Sequence, residues 1–363
     1  MKKKKTIKIN FKYFGGYFDP NDNLFTNLLK KDYNVIIDRE QPDYVFYSVY
    51  DGKRPIESKT FGKSGRKIEE YFPGLYRLLR EIYYFKKERW KMPVLKGNFV
   101  KIFYTNENCR PDMGKCDWAF TYEYDEDLKN PRHLRLPSYK FDYAPGYEVI
   151  KNKETNIEKI KKEKIKFCNF VYSNSVPFRN KFFKKLNKYK KVESCGTCYN
   201  NMGQILPGLR RLMGEDYKPG LNKPKDFLNK FKFTIAFENS SYPGYNTDKI
   251  LEPMTVNSIP IFWGNPLVQR DFNEKSFLNY HKFEREVKKT IPIILFKIPI
   301  INILTKKYMQ RITFKKLIKR IIEIDNDDKL YEEYLKQPWY NDNKPSKYVD
   351  DKVIRKRLKQ IFG

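Results

Sequence analysis

An α/β protein built as two successive halves is what this chain of 363 residues predicts. Three observations lead there: short apolar strands alternate with amphipathic helices, a lysine-rich stretch poor in apolar residues interrupts the alternation, and the alternation then restarts. The length suffices for two domains that each bury a core. Hydrophobic residues at 40% and aromatics at 17% exclude the composition of a disordered chain.

Thr6 to Tyr13 place Ile7, Ile9 and Phe11 on one face at period two, a strand. Asn23 to Lys30 read as a short helix, and Val35 to Ile37 and Tyr44 to Tyr47 as strands. A polar, glycine-containing loop from Asp51 to Gly65 leads to Ile68–Lys87, where Leu75, Leu78, Leu79, Ile82 and Phe85 recur at helical spacing. Phe99 to Tyr104 and Trp118 to Thr121 are further strands. The linker is expected within Pro145 to Lys166. Beyond it come a strand at Phe167 to Tyr172 and a helix at Val176 to Lys190 with Pro177 in its first turn. A strand at Lys232 to Phe237, a helix at Thr247 to Val256 and a strand at Ile259 to Trp263 follow. The expected division is residues 1–150, residues 151–345 and a closing C-terminal helix within 346–363.

Lysine and arginine outnumber aspartate and glutamate 74 to 44, a formal net charge of +30. Such a charge attracts nucleic acid, anionic membrane and phosphorylated substrates alike. Abundant Lys, Asn, Ile, Tyr and Phe also fit an AT-rich coding sequence, so charge alone selects no partner. Five cysteines, an odd number, point to a reducing compartment rather than a disulfide framework. Cys195 and Cys198 have redox or metal-ligand spacing, with Cys109 and Cys116 as the remaining zinc-ligand candidates, but a second C-x-x-C is missing and only His133 and His281 offer imidazoles. Structural thiols and no metal site are the expectation. Met1 and Lys2 to Lys5 run straight into a strand without a signal-peptide core, and no run of about 18 uncharged apolar residues occurs. The expected location is cytoplasmic.

The chemistry concentrates in residues 231 to 264, F-K-F-T-I-A-F-E-N-S-S-Y-P-G-Y-N-T-D-K-I-L-E-P-M-T-V-N-S-I-P-I-F-W-G. An apolar strand delivers Glu238, Asn239 and Ser240 into a loop, Gly244 and Tyr245 turn it, and Thr247 is placed to cap a helix opening with Asp248 and Lys249. Strand ends and helix N-termini of open α/β sheets hold phosphates, and a lysine there adds a full positive charge. Dipole complementation by Asp248 and a solvated Lys249 account for the same residues equally well.

This segment resembles the fucosyltransferase signature of glycosyltransferase family 10: an apolar strand, F-E-N-[ST], a short loop, Y-x-T-E-K, a helix, then [IV]-P-[IV]-x-W-G. Asp248 stands where the family usually has glutamate. Upstream, Thr105-Asn106-Glu107-Asn108 follows a strand and precedes C-D-W-A-F-T-Y-E, resembling the T-G-E-N turn of bacterial members. F-C-N-F-V-Y-S-N-S-V-P-F-R-N-K-F-F-K-K-L-N, residues 167–187, is similar to the family's strand-S-N-loop-x-R-x-x-F-x-x-L segment. Asn265-Pro266, Asp271-Phe-Asn and Lys275-Ser-Phe277 extend the likeness, whereas Cys195 and Cys198 replace family residues of a glycine-rich loop.

The resemblance implies a GT-B architecture, two Rossmann-like α/β domains facing across a cleft. It implies an inverting glycosyltransferase that moves L-fucose from GDP-β-L-fucose to a glycan hydroxyl, with N-acetylglucosamine or glucose as acceptor sugar. Carried over residue by residue, Glu107 is the general base and Asp248 faces the sugar ring. Arg179 and Lys249 hold the diphosphate, and Ser173, Asn174, Glu238, Asn239 and Tyr245 complete the GDP-sugar site. The signature carries no D-x-D, and Asp125-Glu-Asp127 lies well outside it. No metal cofactor is required, which leaves a divalent cation at most a stimulatory role. Two other readings stay open: a family-10-like transferase using another GDP-sugar, and a basic nucleic-acid-binding protein. For the second no basic stripe or RNA-binding motif is present.

Val287 to Ile324 looks like an insertion relative to bacterial members. Its apolar run is broken by Pro292, Lys297 and Pro299 and precedes a lysine-rich segment ending in Lys319 and Arg320. A peripheral contact with anionic membrane through residues 287–324 and a core strand and helix of the second domain are the two expectations.

Overall fold

The computed structural model describes residues 4–15, 18–50, 90–142, 150–151, 153–203 and 225–363. The expected loop Asp51–Gly65 and helix Ile68–Lys87 lie outside them. Two compact units emerge, one of residues 1–141 and 347–363, the other of 142–346.

The first unit runs β1 (Thr6–Lys12), α1 (Leu24–Lys30), β2 (Asn34–Ile37), β3 (Tyr44–Tyr47), β4 (Val100–Tyr104), β5 (Trp118–Thr121), α2 (Asp125–Leu128), β6 (His133–Arg135) and α3 (Ser138–Asp142). Its strands form one sheet in the order β2-β1-β3-β4-β5-β6, parallel throughout. Ile7, Ile9, Phe46, Ile102 and Phe120 supply the core, and Asn23 caps α1 by accepting from the Thr26 N–H. The C-terminal helix α12 (Asp351–Phe362) belongs to this unit rather than standing apart. Its Ile354, Leu358 and Phe362 join the same core, and the Arg355 guanidinium forks onto Asp32 at 2.8 and 3.0 Å. That guanidinium holds the Asp32 carboxyl below the usual carboxylate range.

Three elements here, α2, β6 and α3, escaped the sequence reading. β6 is three residues long and fully buried, too short to show a period. The first carboxylate of the Asp125-x-Asp127 spacing accepts from the Arg135 N–H at 2.8 Å and pairs with His133 Nδ1 at 2.8 Å, a structural use.

The second unit runs α4 (Ile157–Glu163), β7 (Lys166–Asn169), α5 (Pro177–Leu186), β8 (Val192–Glu193), α6 (Lys225–Asn229), β9 (Phe231–Phe237), α7 (Asp248–Met254), β10 (Ile259–Trp263) and β11 (Leu278–Asn279). Helices α8 (Tyr280–Lys289), α9 (Ile294–Lys297), α10 (Pro299–Asn326) and α11 (Asp328–Lys336) follow. Its sheet is parallel in the order β11-β10-β9-β7-β8. Both faces are covered, which explains the apolar run of β10 and the apolar end of β9, Ile235 to Phe237. The 287–324 segment is helical: no strand forms there, and Phe314, Leu317, Ile321 and Ile324 of α10 enter the core.

The expected linker contains α4, capped by Asn156 and packed through Ile160, so its lysines line a solvent face. Lys164 at its end is buried, and its ammonium donates to the Asn229 carbonyl (2.6 Å), Asn229 Oδ1 (2.8 Å) and the Val256 carbonyl (2.5 Å). Three acceptors match the three N–H bonds of one ammonium. All five cysteines are buried free thiols, and no metal-holding group of His, Cys, Asp and Glu occurs among the described residues. Lys164→Met should therefore strand three acceptors and lower the unfolding free energy by about 2–4 kcal/mol. Urea denaturation of the variant and the parent checks this, and an unchanged midpoint would refute the tether.

Candidate active site

β7, β9 and β10 end side by side at one edge of the second sheet, the edge at which open α/β sheets bind ligands. The Glu238 N–H continues the ladder by one bond, to the Trp263 carbonyl at 2.7 Å, before the chain leaves β9. The Glu238 side chain turns inward and is fully buried. Its carboxylate accepts from the Thr247 N–H at 2.8 Å and from Thr247 Oγ1 at 2.9 Å. Thr247 is the N-cap of α7, its hydroxyl accepting from the Lys249 N–H. Lys249 Nζ lies 3.4 Å from Glu238 Oε2, 3.1 Å from Thr247 Oγ1 and 3.9 Å from Asp248 Oδ1.

Burial pushes the Glu238 carboxyl up. For Lys249 burial acts to lower the pKa, but Glu238 and Asp248 more than offset it, and the ammonium is held above its ordinary value. Glu238 thus works as a hidden support for the cap and the lysine, where the sequence suggested a direct contact with the donor. Gly264 makes room for it, since a Cβ there would lie 2.4 Å from Glu238 Cγ.

The loop from Ser241 to Thr247 is pinned from beneath. Asn265 Oδ1 accepts from the Gly244 N–H at 2.8 Å and the Leu267 N–H at 2.9 Å. Asn246 Nδ2 donates to Asp271 Oδ2 at 2.8 Å. Gly244 takes a φ of 86°, left-handed backbone that suits glycine. Tyr245 is buried within this loop, while Asn239 and Asp248 are half-buried.

Arg179 arrives from the other side. Pro177 opens α5 and places Arg179 in its first turn, with the side chain 0% exposed. Nη1 donates to the Phe237 carbonyl and Asn239 Oδ1, both at 3.2 Å, and Nη2 donates to the Asn174 carbonyl at 2.6 Å. The guanidinium stacks 3.5 Å over the Tyr172 ring, a cation–π contact. Tyr172 is anchored in turn, its hydroxyl 2.7 Å from the Ile235 carbonyl. Among the described residues no carboxylate touches Arg179, and its Nε has no acceptor. Burial pulls the Arg179 pKa down. Ser173 and Asn174 lie exposed in the loop above it. Cys195 and Cys198 pack beneath that loop, the Cys198 N–H donating to the Tyr172 carbonyl at 2.9 Å. Gly196 allows this approach, because a Cβ would come within 2.3 Å of that carbonyl oxygen.

Eight expected site residues, Ser173, Asn174, Arg179, Glu238, Asn239, Tyr245, Asp248 and Lys249, therefore belong to this edge of the second sheet. Glu107 stands at the C-terminal end of β4 in the first unit. Its N–H donates to Thr105 Oγ1 at 3.0 Å, and its Oε1 accepts from the Tyr50 hydroxyl at 3.2 Å. Asn108 steadies the same turn by accepting from the Tyr122 hydroxyl at 2.8 Å. Tyr172 and Asn246 are not among the expected site residues. Their work is to hold a guanidinium and a loop, which leaves no periodic or spacing signal.

Two family models match the chain. Glycosyltransferase family 10 (fucosyltransferase), C-terminal part, matches residues 160–297, and the α-(1,3)-fucosyltransferase FucT N-terminal domain matches residues 82–155. The chain is 28% identical to α-(1,3)-fucosyltransferase FucT of Helicobacter pylori over 64% of its own length and 54% of that protein. It is 32% identical to α-(1,3)-fucosyltransferase B of Drosophila melanogaster over 29% of this chain and 23% of that one. The chain thus spans about half the length of the bacterial relative it matches. A crystal structure of an α1,3-fucosyltransferase with GDP-fucose superposes with a TM-score of 0.64 at 21% identity, covering 99% of this chain and 92% of that one. The likeness shows the fold, and the two parallel-sheet α/β units are those of GT-B.

Gly264→Ala should drive Cβ into the Glu238 side chain, displace the carboxylate from Thr247 and lower stability by about 1–3 kcal/mol. Thermal unfolding measures it; a melting temperature equal to the parent's would contradict the tight fit.

Proposed function

The chain belongs to glycosyltransferase family 10, and on that premise we propose that it is an inverting α-1,3-fucosyltransferase, taking L-fucose from GDP-β-L-fucose to a hydroxyl of a glycan whose acceptor sugar is N-acetylglucosamine or glucose. The observation that carries the donor half of this reading is Arg179, a buried guanidinium with no carboxylate on it among the described residues. A diphosphate is a fitting counter-ion for such a group. To reach it, phosphate oxygens replace Asn239 Oδ1 or the Asn174 carbonyl as acceptors on the same N–H bonds. Lys249 supplies the second cation, already held protonated by Glu238 and Asp248.

In this reading the two cations take up the charge that grows on the diphosphate as the glycosidic bond breaks. Asp248 faces the oxocarbenium-like ring. Tyr245 and Asn239, with Ser173 and Asn174, position sugar and phosphate. Glu107 takes the proton of the acceptor hydroxyl as that oxygen attacks the anomeric carbon, and one displacement by one base inverts the centre. The signature segment, residues 231–264, carries no D-x-D, so on this reading activity is expected to persist in the presence of a chelator.

A donor panel of GDP-fucose, GDP-mannose and UDP-sugars tests the sugar. GDP-fucose is expected to be the productive donor. Turnover of GDP-mannose in its place would favour the reading suggested by Asp248, in which a shorter carboxylate accompanies a different GDP-sugar. Arg179→Lys keeps the charge but loses the fork, and Lys249→Ala loses the charge. Each should weaken GDP binding by about 1.5–3 kcal/mol in calorimetry. Unchanged affinity in both folded variants would place the diphosphate elsewhere. Glu107→Gln should lower turnover roughly 10²–10⁴-fold with GDP affinity preserved. Activity within a few-fold of the parent would remove Glu107 from the role of base.

A further inference from the structure

Between Val287 and Ile322 the chain carries ten lysines and arginines and no aspartate or glutamate. Most of this run is α10, and its two faces differ. Phe314, Leu317, Ile321 and Ile324 are fully buried in the core of the second unit. At about 3.6 residues per turn, Ile301, Leu304, Tyr308, Arg311, Lys315 and Lys319 fall in one row opposite that face. All six are exposed. The row is apolar toward the start of the helix and cationic toward its end. Of the eleven large hydrophobic side chains exposed among the described residues, seven lie between Ile293 and Tyr308, with Ile293 at 73% and Leu304 at 62%. Single exposed hydrophobics are ordinary, but a cluster of this density marks an interaction surface.

We propose that this row, with Ile293 and Ile294 in the segment leading into α10, docks the protein peripherally on an anionic lipid bilayer. The apolar side chains enter the boundary between headgroups and acyl chains, and the cations lie against the anionic headgroups. Charge complementarity selects this occupant: a second copy would bring the same ten cations against themselves. Long lysine and arginine stems lie along an apolar boundary with their charged ends in the headgroup layer, as the mixed row requires. No helix among the described residues is long and apolar enough to cross a membrane, so the contact is made from the surface.

The inner face of the same helix connects the contact to the candidate site. The Phe314 ring lies 5.1 Å from Phe178 and 5.2 Å from Phe182, residues that bracket Arg179 on α5. A bilayer that fixes α10 therefore also orients the edge of the second sheet. All of α10 lies beyond residue 297, the last residue that the family models match. The proposal stands apart from the choice of donor or acceptor.

The test is co-sedimentation of the full chain with vesicles of phosphatidylcholine alone or of phosphatidylcholine mixed with phosphatidylserine, at low and high salt. Binding to the mixed vesicles only, weakened by salt, is the expected result. Leu304→Asp and the pair Lys315→Glu/Lys319→Glu should each lower the partition coefficient about tenfold or more. These side chains are exposed, and an unchanged melting temperature verifies that the variants fold. Reversal of Lys188, Lys191 and Lys230, exposed elsewhere on the same unit, controls for the overall charge and should leave binding intact. Absence of binding by the parent, retention of binding by Leu304→Asp, or an equal loss in the control triple would each overturn the proposal.

Discussion

The candidate site depends on one buried carboxylate. Glu238 leaves the end of β9 and is sealed under Gly264, yet it organises the groups around it by accepting from both donors of Thr247 and facing Lys249. An unpaired carboxylate in that position would be costly, by several kcal/mol after relaxation. The threonine cap and the lysine are thereby required, and α7 starts at Asp248 because that is where the pairing begins. A cation, a helix start and a strand end are joined in a unit about a dozen residues long.

Arg179 applies the same logic with the opposite sign. Its hydrogen bonds go to two main-chain carbonyls and one side-chain amide, and its face rests on Tyr172. Those partners satisfy geometry but not charge. Its burial against neutral groups is what distinguishes it from the many solvated lysines of a chain with net charge +30. The abundance of lysine thus says little about the site. The exceptions are cations drawn in from solvent and held in different ways, among them Lys164 by three neutral oxygens, Lys249 by carboxylates and Arg179 by carbonyls and a ring.

Helix α10 shows how one segment supports two sequence readings at once. Its apolar residues divide between a core face that packs on the rings beside Arg179 and an exposed row that ends in cations. Composition carries both signals together, and only the helical phase against the sheet separates them. The expected strand did not form because Pro299 sits in the first turn of α10, where it is tolerated, and the apolar spacing after it follows the helical period.

What the sequence by itself determined was the alternation of elements and the chemistry of its best-ordered segment. β1, β3, β5, β9 and β10 lie where their apolar runs put them, and Thr247 caps α7 as its position before Asp248 and Lys249 indicated. These features are local, fixed by side-chain period, capping and the steric limits of the backbone. The tertiary structure alone decided the rest. It gathered the tips of β7, β9 and β10 into one edge, made Glu238 a support and buried Arg179 on Tyr172. It also returned the C-terminal helix to the first unit and showed short β6 to be part of a sheet. Each of these depends on partners far away in the chain, between which spacing carries no signal. Burial and charge at a residue are properties of its surroundings, and they exist only once the sheet has brought those surroundings together.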